Sequence, residues 1–413
     1  MPLSLPSSRG QHRTRVFQPK FRRTDVCTVI AAASGIVCVL LLALRGSWPI
    51  TDESSLQFPY LSTTSALKPS AGNMYDVYND TLGFEKIFLV SLPERTDRRD
   101  SFAVQARLSN MSFTAVDGVD GRTVSAKALP YTMDLRPAQI GAWRAHLNIM
   151  QNIVANNIAT ALIFEDDADW DVGIRAQMRE LAKGARWLGN ASGSETDLHS
   201  PYGDDWDIMW IGHCSIKSST YDPRRWVIPH DPTVVPPERR TEFDKAHMRQ
   251  WETGPNADNQ TRIVFVPTWG YCLAAYAVSL RGAMKILYHE SMSKYNDPVD
   301  TGLGWMCANP QSWSEFHCIA PYPTIVGISR PAGNTDKFSD IDPDKFTEIQ
   351  VSEESHSEHL VFPLRQNIDR LLAGQVDFQS QFPDSTGETM HIDDIMAATG
   401  HGEILDLSLD DEL

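Results

Sequence analysis

Residues 160–171 read TALIFEDDADWD. Leu162, Ile163 and Phe164 form an apolar run of strand length. Glu165, Asp166 and Asp167 follow with no spacer, and Asp169 and Asp171 lie close behind. Like charges this close repel, so a core strand that ends in them needs a compensating cation or a solvated loop. Alternate side chains of an extended segment share a face, which puts Glu165 and Asp167 together and Asp166 opposite. Paired hard oxygen donors suit Mg²⁺, Mn²⁺ or Ca²⁺, and an Mg²⁺-type shell is commonly completed by phosphate oxygens and water. An exposed acidic loop, or a helix N-terminus favouring negative charge, accounts for the same residues. The D-x-[DN]-x-[DN]-G spacing of a calcium loop is absent.

Working outward, KIFLVSL at 86–92 is a second apolar run, ended by Pro93. Helical spacing follows through Phe102, Val104 and Leu108, then FTAVDG at 113–118 reads as a short strand ending at a turn. Residues 137–157 begin with Pro in a first helical turn and place Ile140, Trp143, Leu147, Met150 and Val154 on one face. DWDIMWIG at 205–212 and WGYCLAAYAVS at 269–279 read as further strands, the latter followed by a helix through Met284 and Leu287. Residues 215–262 look like an insertion. Strand and helix in alternation predict an α/β domain with a mostly parallel sheet, whose ligands bind beyond the carboxyl ends of the strands. The acid triplet falls at such an end. Arg95, Arg98 and Arg99 fall at another strand-to-helix junction, where backbone N–H groups also favour anions. Surface ion pairs with Glu94, Asp97 and Asp100 are the alternative for these arginines.

The 413 residues carry a formal net charge of -16, which argues against a general nucleic-acid binder. Val26 to Leu44 contains no charged residue, and as a helix it spans about 28 Å, close to a bilayer core of about 30 Å. Arg9, Arg13, Arg15, Lys20, Arg22 and Arg23 precede it, and only Arg45 and Lys68 follow before the expected fold. The positive-inside rule makes residues 1–25 a cytosolic basic tail, 26–44 a membrane anchor, and the remainder lumenal. A cleaved signal peptide would have a shorter charged region and a small-residue cleavage site. Residues 45–83 read as a Ser/Thr/Pro-rich stem, 84–375 as the folded domain and 376–413 as an acidic disordered tail. Sequons at Asn79, Asn110, Asn190 and Asn259 agree with a lumenal domain, and the terminal Asp410-Asp411-Glu412-Leu413 resembles an ER retrieval signal. Cys214, Cys272, Cys307 and Cys318 are expected as two disulfides or as four buried thiols.

Six blocks, IFLVSLPERTDRRDSF, FTAVDG, LRPAQIGAWRAH, ALIFEDDAD, DWDIMWIG and WGYCLAAYAVSLRGAMKIL with NDPVD after it, occur in an order that resembles glycosyltransferase family 25. That family includes lipopolysaccharide and collagen galactosyltransferases, and the resemblance covers about residues 84–330. It implies a GT-A type nucleotide-binding domain, a UDP-sugar donor and Mn²⁺ or Mg²⁺ held by Glu165 and Asp167, with Asp166 on the donor side. It places Leu92, Arg95 and Arg98 near the nucleotide, with Ser91 where the family has Asn, and Asp117 and Gly118 at the base or ribose. In the helical block Ala142 and Ala145 replace the family's Cys and Ser, while His146 is kept as a catalytic candidate. Asp300 matches the family's PVD and is the expected base, with Asp297 and Asp169 as rivals and helix capping as the structural alternative.

The implied reaction is an inverting transfer of a hexose, galactose first, to a hydroxyl of a glycan or glycoprotein in the endoplasmic reticulum or Golgi. Trp210, Trp226, Trp269, Trp305 and Trp313 are candidates for stacking the acceptor. A non-catalytic lumenal carbohydrate-binding or scaffold protein on the same fold is the competing expectation, motivated by Ser91, Ala142 and Ala145.

Overall fold

The computed structural model describes residues 74–189, 198–240, 248–308, 315–341 and 350–406. The anchor and basic tail, residues 45–73 of the stem, Asn190, Trp313 and the terminal DDEL lie outside them. Among the described residues no helix is long and apolar enough to cross a membrane.

The first half follows the predicted grammar. Strand β1 (Lys86–Ser91) leads to α1 (Thr96–Leu108), β2 (Thr114–Asp117), α2 (Pro137–Asn156), β3 (Thr160–Glu165), β4 (Ala168–Trp170) and α3 (Ile174–Leu188). Helix α2 starts at Pro137, where the missing N–H costs nothing, and stops at Asn157, whose φ of 52° is left-handed. Next come β5 (Ile208–Gly212), β6 (Ser215–Ser218), β7 (Arg224–Ile228), β8 (Arg262–Phe265), β9 (Pro267–Tyr271), β10 (Ala275–Ser279), α4 (Leu280–Leu287), α5 (Val299–Ala308), β11 (Cys318–Tyr322), β12 (Val326–Arg330), β13 (Gly333–Asn334), β14 (Val351–Ser352) and β15 (His356–Glu358).

The main sheet has nine strands in the order β18-β7-β8-β11-β5-β10-β3-β1-β2, where β18 is His401–Ile404. Strands β1, β2, β3, β5, β7 and β11 run one way, so the sheet is mostly parallel in strand direction. Strands β8, β10 and β18 run against them and make several pairings antiparallel. The predicted strand 269–279 is broken in two because Cys272 adopts a left-handed φ of 65°. Strand β9 leaves to pair with β6, and β10 returns between β3 and β5.

Both sheet faces are covered, which is why the strands read as continuous apolar runs. Phe88, Val90 and Ile163 face a core with Trp143, Ile149 and Met150 of α2. Ile87, Leu89, Leu162 and Phe164 face the other core with Phe102 of α1 and Met178 and Leu181 of α3. The fold is therefore a three-layer α/β sandwich.

Order extends beyond both expected boundaries. Val77 and Leu82 are buried, so the fold is under way by residue 77 rather than 84. Residues 377–404, expected within an acidic tail, form the hairpin β16 (Asp377–Gln379) and β17 (Thr389–His391), and then β18 at the edge of the main sheet. The acidic composition conceals Phe378 and Ile395, which are buried against Val235, Val361 and Phe362. Disulfides join Cys214 to Cys272 and Cys307 to Cys318.

If this segment belongs to the fold, Phe378→Ala should lower the unfolding free energy by about 3–5 kcal/mol. Urea denaturation checks it, and a loss within about 0.5 kcal/mol would make the segment an appendage.

Candidate active site

A cavity of about 640 Å³ opens at the carboxyl ends of β1, β2 and β3. Leu92, Arg98, Gly118, His146, Glu165, Asp166, Asp167 and Asp300 all line it, although the sequence scatters them over more than 200 positions. One wall is the segment 118–122 pressed against the start of α2. A Cβ on Gly121 would sit 1.7 Å from the Pro137 carbonyl oxygen, and one on Gly141 would sit 2.2 Å from that of Val119. Only glycine permits this approach.

The acid triplet does not alternate as extended backbone would. Strand β3 ends at Glu165 and the chain turns at Asp166 and Asp167, so all three carboxylates reach the cavity. Glu165 Oε1 lies 3.3 Å from His146 Nε2. Nδ1 of the same ring lies 2.9 Å from the Tyr276 hydroxyl, so the buried imidazole is held at both nitrogens. Asp166 accepts from the Ser91 hydroxyl at 2.7 Å and from Arg98 at 2.6 Å, and Asp167 shares that guanidinium at 3.5 Å. Ser91 thus makes a contact here with Asp166, in the position where the family pattern has Asn.

Arg98 also donates to the carbonyls of Lys337 and Phe338, each at 3.1 Å, and so anchors the segment 338–341 that closes another side of the cavity. Arg95 and Asp117 do not line it. Arg95 is taken up by Asp97 and Asp340, and Asp117 by Arg99. Both belong to the frame around the cavity rather than to its surface.

Asp300 stands in the first turn of α5. Its Oδ2 accepts from the Cys272 main-chain N–H at 3.1 Å and its Oδ1 from that of Thr301 at 2.8 Å. Asp300 therefore stands inside the first turn rather than at the cap, and its carboxylate is held by main-chain donors while it lines the cavity. The rivals separate from it. Asp169 is fully buried and accepts from Gln105, Ser357 and the Trp170 N–H, so it staples β4 to its neighbours. Asp297 does not line the cavity.

Burial raises the pKa of Glu165, and the neighbouring carboxylates of Asp167 and Asp300 raise it further against the opposing effect of His146. Burial also raises Asp166 and Asp300. Among the described residues seven acidic side chains and three arginines line the cavity, so carboxylates outnumber guanidinium groups in its wall. Sequence reasoning missed Tyr271, Arg330 and the 338–341 segment in the lining: Tyr271 sits in one of the six blocks but has no site role in it, while Arg330 and 338–341 lie beyond the blocks. Of the candidate tryptophans, Trp210 is buried, Trp269 stacks on Tyr271 with centroids 5.9 Å apart, and Trp305 is exposed.

The structure is a three-layer α/β fold with acids, an arginine and a glycine-lined wall gathered at its strand ends, the place where ligands of such sheets bind. The family model for glycosyltransferase family 25 (LPS biosynthesis protein) matches residues 84–187, the part that supplies β1 to α3. The inactive glycosyltransferase 25 family member 3 of Homo sapiens is 24% identical over 281 residues, covering 63% of this chain and 39% of its own length. Procollagen galactosyltransferase 1-A of Xenopus laevis is 24% identical over 235 residues, covering 54% of this chain and 31% of its own. The mouse inactive family member 3 is 28% identical over 233 residues, covering 53% and 31%. The chain thus spans well under half the length of these relatives. Together the matches make this chain similar to glycosyltransferase family 25 proteins.

Beside the cavity, Glu290 lies on a π-helical turn (Tyr288–Met292), fully buried, and among the described residues neither carboxylate oxygen has a hydrogen-bond partner. Burial raises its pKa well above the usual range, reinforced by Asp300 and Asp297. The folded protein therefore favours the protonated acid. Its contribution to stability is complete below the unfolded pKa of about 4.3 and is lost as pH rises through the folded value. The stability of wild type relative to Glu290→Gln should decline from pH 5 to pH 8 in urea denaturation. A pH-independent difference would contradict the buried neutral acid.

Proposed function

We propose that the chain is an inverting, divalent-metal-dependent glycosyltransferase moving a hexose, galactose first among candidates, from a UDP-sugar to a hydroxyl of a glycan or glycoprotein. The observation that carries this reading is the convergence of Glu165, Asp166, Asp167 and Asp300 in one cavity at the strand ends. By the N-terminal apolar segment, the domain would work in the lumen of the endoplasmic reticulum or Golgi as a single-pass type II protein.

Among the described residues no group of three or more His, Cys, Asp and Glu side chains is arranged to hold a metal. The excess negative charge and all-oxygen donor set nevertheless fit a hard cation ligated by Glu165 and Asp167, with phosphate oxygens and water completing the shell. When bound, the ion supplies positive charge that stabilises the leaving diphosphate.

The chain's own groups divide the remaining work. Leu92, Gly118 and the glycine-lined wall take the nucleoside, while Arg98 fixes Asp166 and His146 orients Glu165. The acceptor hydroxyl oxygen bonds to the anomeric carbon, the bond from that carbon to the diphosphate oxygen breaks, and the hydroxyl proton passes to Asp300. Burial suits Asp300 to this task by raising its basicity, and its two N–H donors leave lone pairs for the acceptor. Tyr271, which lines the cavity and stacks on Trp269, offers an aromatic surface for the acceptor sugar.

Relatives named as inactive and as galactosyltransferases both match, so a carbohydrate-binding reading without turnover competes with this one. Calorimetry with UDP in Mn²⁺ and a turnover screen over UDP-hexoses separate them. Asp167→Ala should weaken UDP binding by about tenfold or more, a difference of about 1.4 kcal/mol. Asp300→Ala should keep UDP binding and lower kcat by about 100- to 10,000-fold. Wild-type protein that binds UDP-sugars and transfers none would establish the non-catalytic reading, and UDP binding indifferent to Asp167→Ala would remove the metal role.

A further inference from the structure

We infer that the Cys214–Cys272 disulfide is a positioning element for Asp300, holding the main-chain N–H that orients this carboxylate in the cavity. Both cysteines line the cavity. Cys272 has a φ of 65°, a left-handed conformation that a non-glycine residue keeps only where the surroundings impose it.

The surroundings do impose it. Cys272 is bonded to Cys214, and the Cys214 N–H donates to the Tyr271 carbonyl at 3.0 Å. Ser215 of β6 pairs with Tyr271 of β9, and the Glu165 N–H donates to the Ala274 carbonyl at 3.0 Å. The left-handed turn between β9 and β10 is thereby clamped from both sides, and it delivers the Cys272 N–H to Asp300 Oδ2 at 3.1 Å. Opening the bridge frees residue 272 to leave the left-handed region, and that donor then turns away from the carboxylate.

The other bridge supplies the contrast. Cys307 lies in the same helix as Asp300, seven residues on, about 10 Å along its axis, and neither Cys307 nor Cys318 lines the cavity. It ties the far end of α5 to β11 without touching the carboxylate.

The inference rests on the base role given to Asp300 above, and two measurements keep the two apart. In the purified full chain, Cys214→Ser with Cys272→Ser should lower kcat tenfold or more while the KM for the UDP-sugar stays within twofold. Cys307→Ser with Cys318→Ser should lower the thermal midpoint but keep kcat within twofold. A Cys214→Ser/Cys272→Ser protein that is folded and has wild-type kcat overturns the inference.

The second measurement needs neither turnover nor the double variant. In full-length protein labelled with ¹⁵N-cysteine, Asp300→Ala should shift the Cys272 amide resonance and leave that of Cys318 in place. An unmoved Cys272 resonance overturns the contact itself. If Asp300→Ala moves the Cys272 resonance but wild-type protein transfers no sugar, the contact stands and only the transferase reading fails.

Discussion

The site depends on one guanidinium. Arg98 binds Asp166 at 2.6 Å and lies 3.5 Å from Asp167, while its other nitrogen reaches the carbonyls of Lys337 and Phe338. Three segments distant in sequence therefore meet at a single side chain: the start of α1, the turn after β3, and the loop beyond β12. Half-exposed ion pairs contribute little, but this guanidinium and the Asp166 carboxylate are both largely withdrawn from water. Loss of one partner from such a pair leaves the other desolvated and unpaired, which costs about 3–5 kcal/mol for a buried pair. Arginine suits the place because its planar fork serves a carboxylate and two carbonyls at once, which the single ammonium of lysine would not.

That pair also explains how mutually repelling acids are kept at a strand end. Asp166 is paired with Arg98 and accepts from the Ser91 hydroxyl, Glu165 is restrained by His146, and Asp300 is held by two main-chain donors. The three devices differ, so the carboxylates are not interchangeable. Asp166 has its oxygens engaged inside the protein, whereas Glu165 and Asp167 keep more of their coordination free for the cavity. The alternation expected for an extended segment assigns Asp166 to the opposite face, and the turn immediately after Glu165 defeats it.

The first half of the fold was legible because its strands are buried on both faces and its helices carry one apolar stripe. Boundaries of β1, β2, α2 and β3 came within about two residues of the observed ends. The second half was less legible for identifiable reasons. A strand through 269–279 looks continuous, since nothing local announces that Cys272 will turn left-handed; the disulfide and the pairing of β9 with β6 do that from afar. Residues 377–404 read as tail because acids are interspersed among their apolar residues with no clear strand or helix period, while Phe378 and Ile395 suffice to seat them. Asp300, His146 and the triplet could be named from motifs, but their meeting in one cavity is a property of the sheet order, which no local signal encodes.

The departures from the family pattern can now be weighed by position. Helix α2 presents Gly141, Ala142, Ala145 and His146 to the cavity, residues that share a helical face at one-turn spacing. With alanine at 142 and 145 this face offers methyl groups where Cys and Ser would offer a thiol and a hydroxyl. The wall loses hydrogen-bonding capacity toward whatever it touches and gains a little room. The charged set behind it is unaffected, because His146, Glu165, Asp166, Asp167 and Asp300 are held by contacts in which neither alanine takes part. These substitutions therefore bear first on the shape and polarity of the ligand the wall accepts, and only through that on turnover. The acids and the main-chain donor at Cys272 stand together in one cavity whatever the wall accepts.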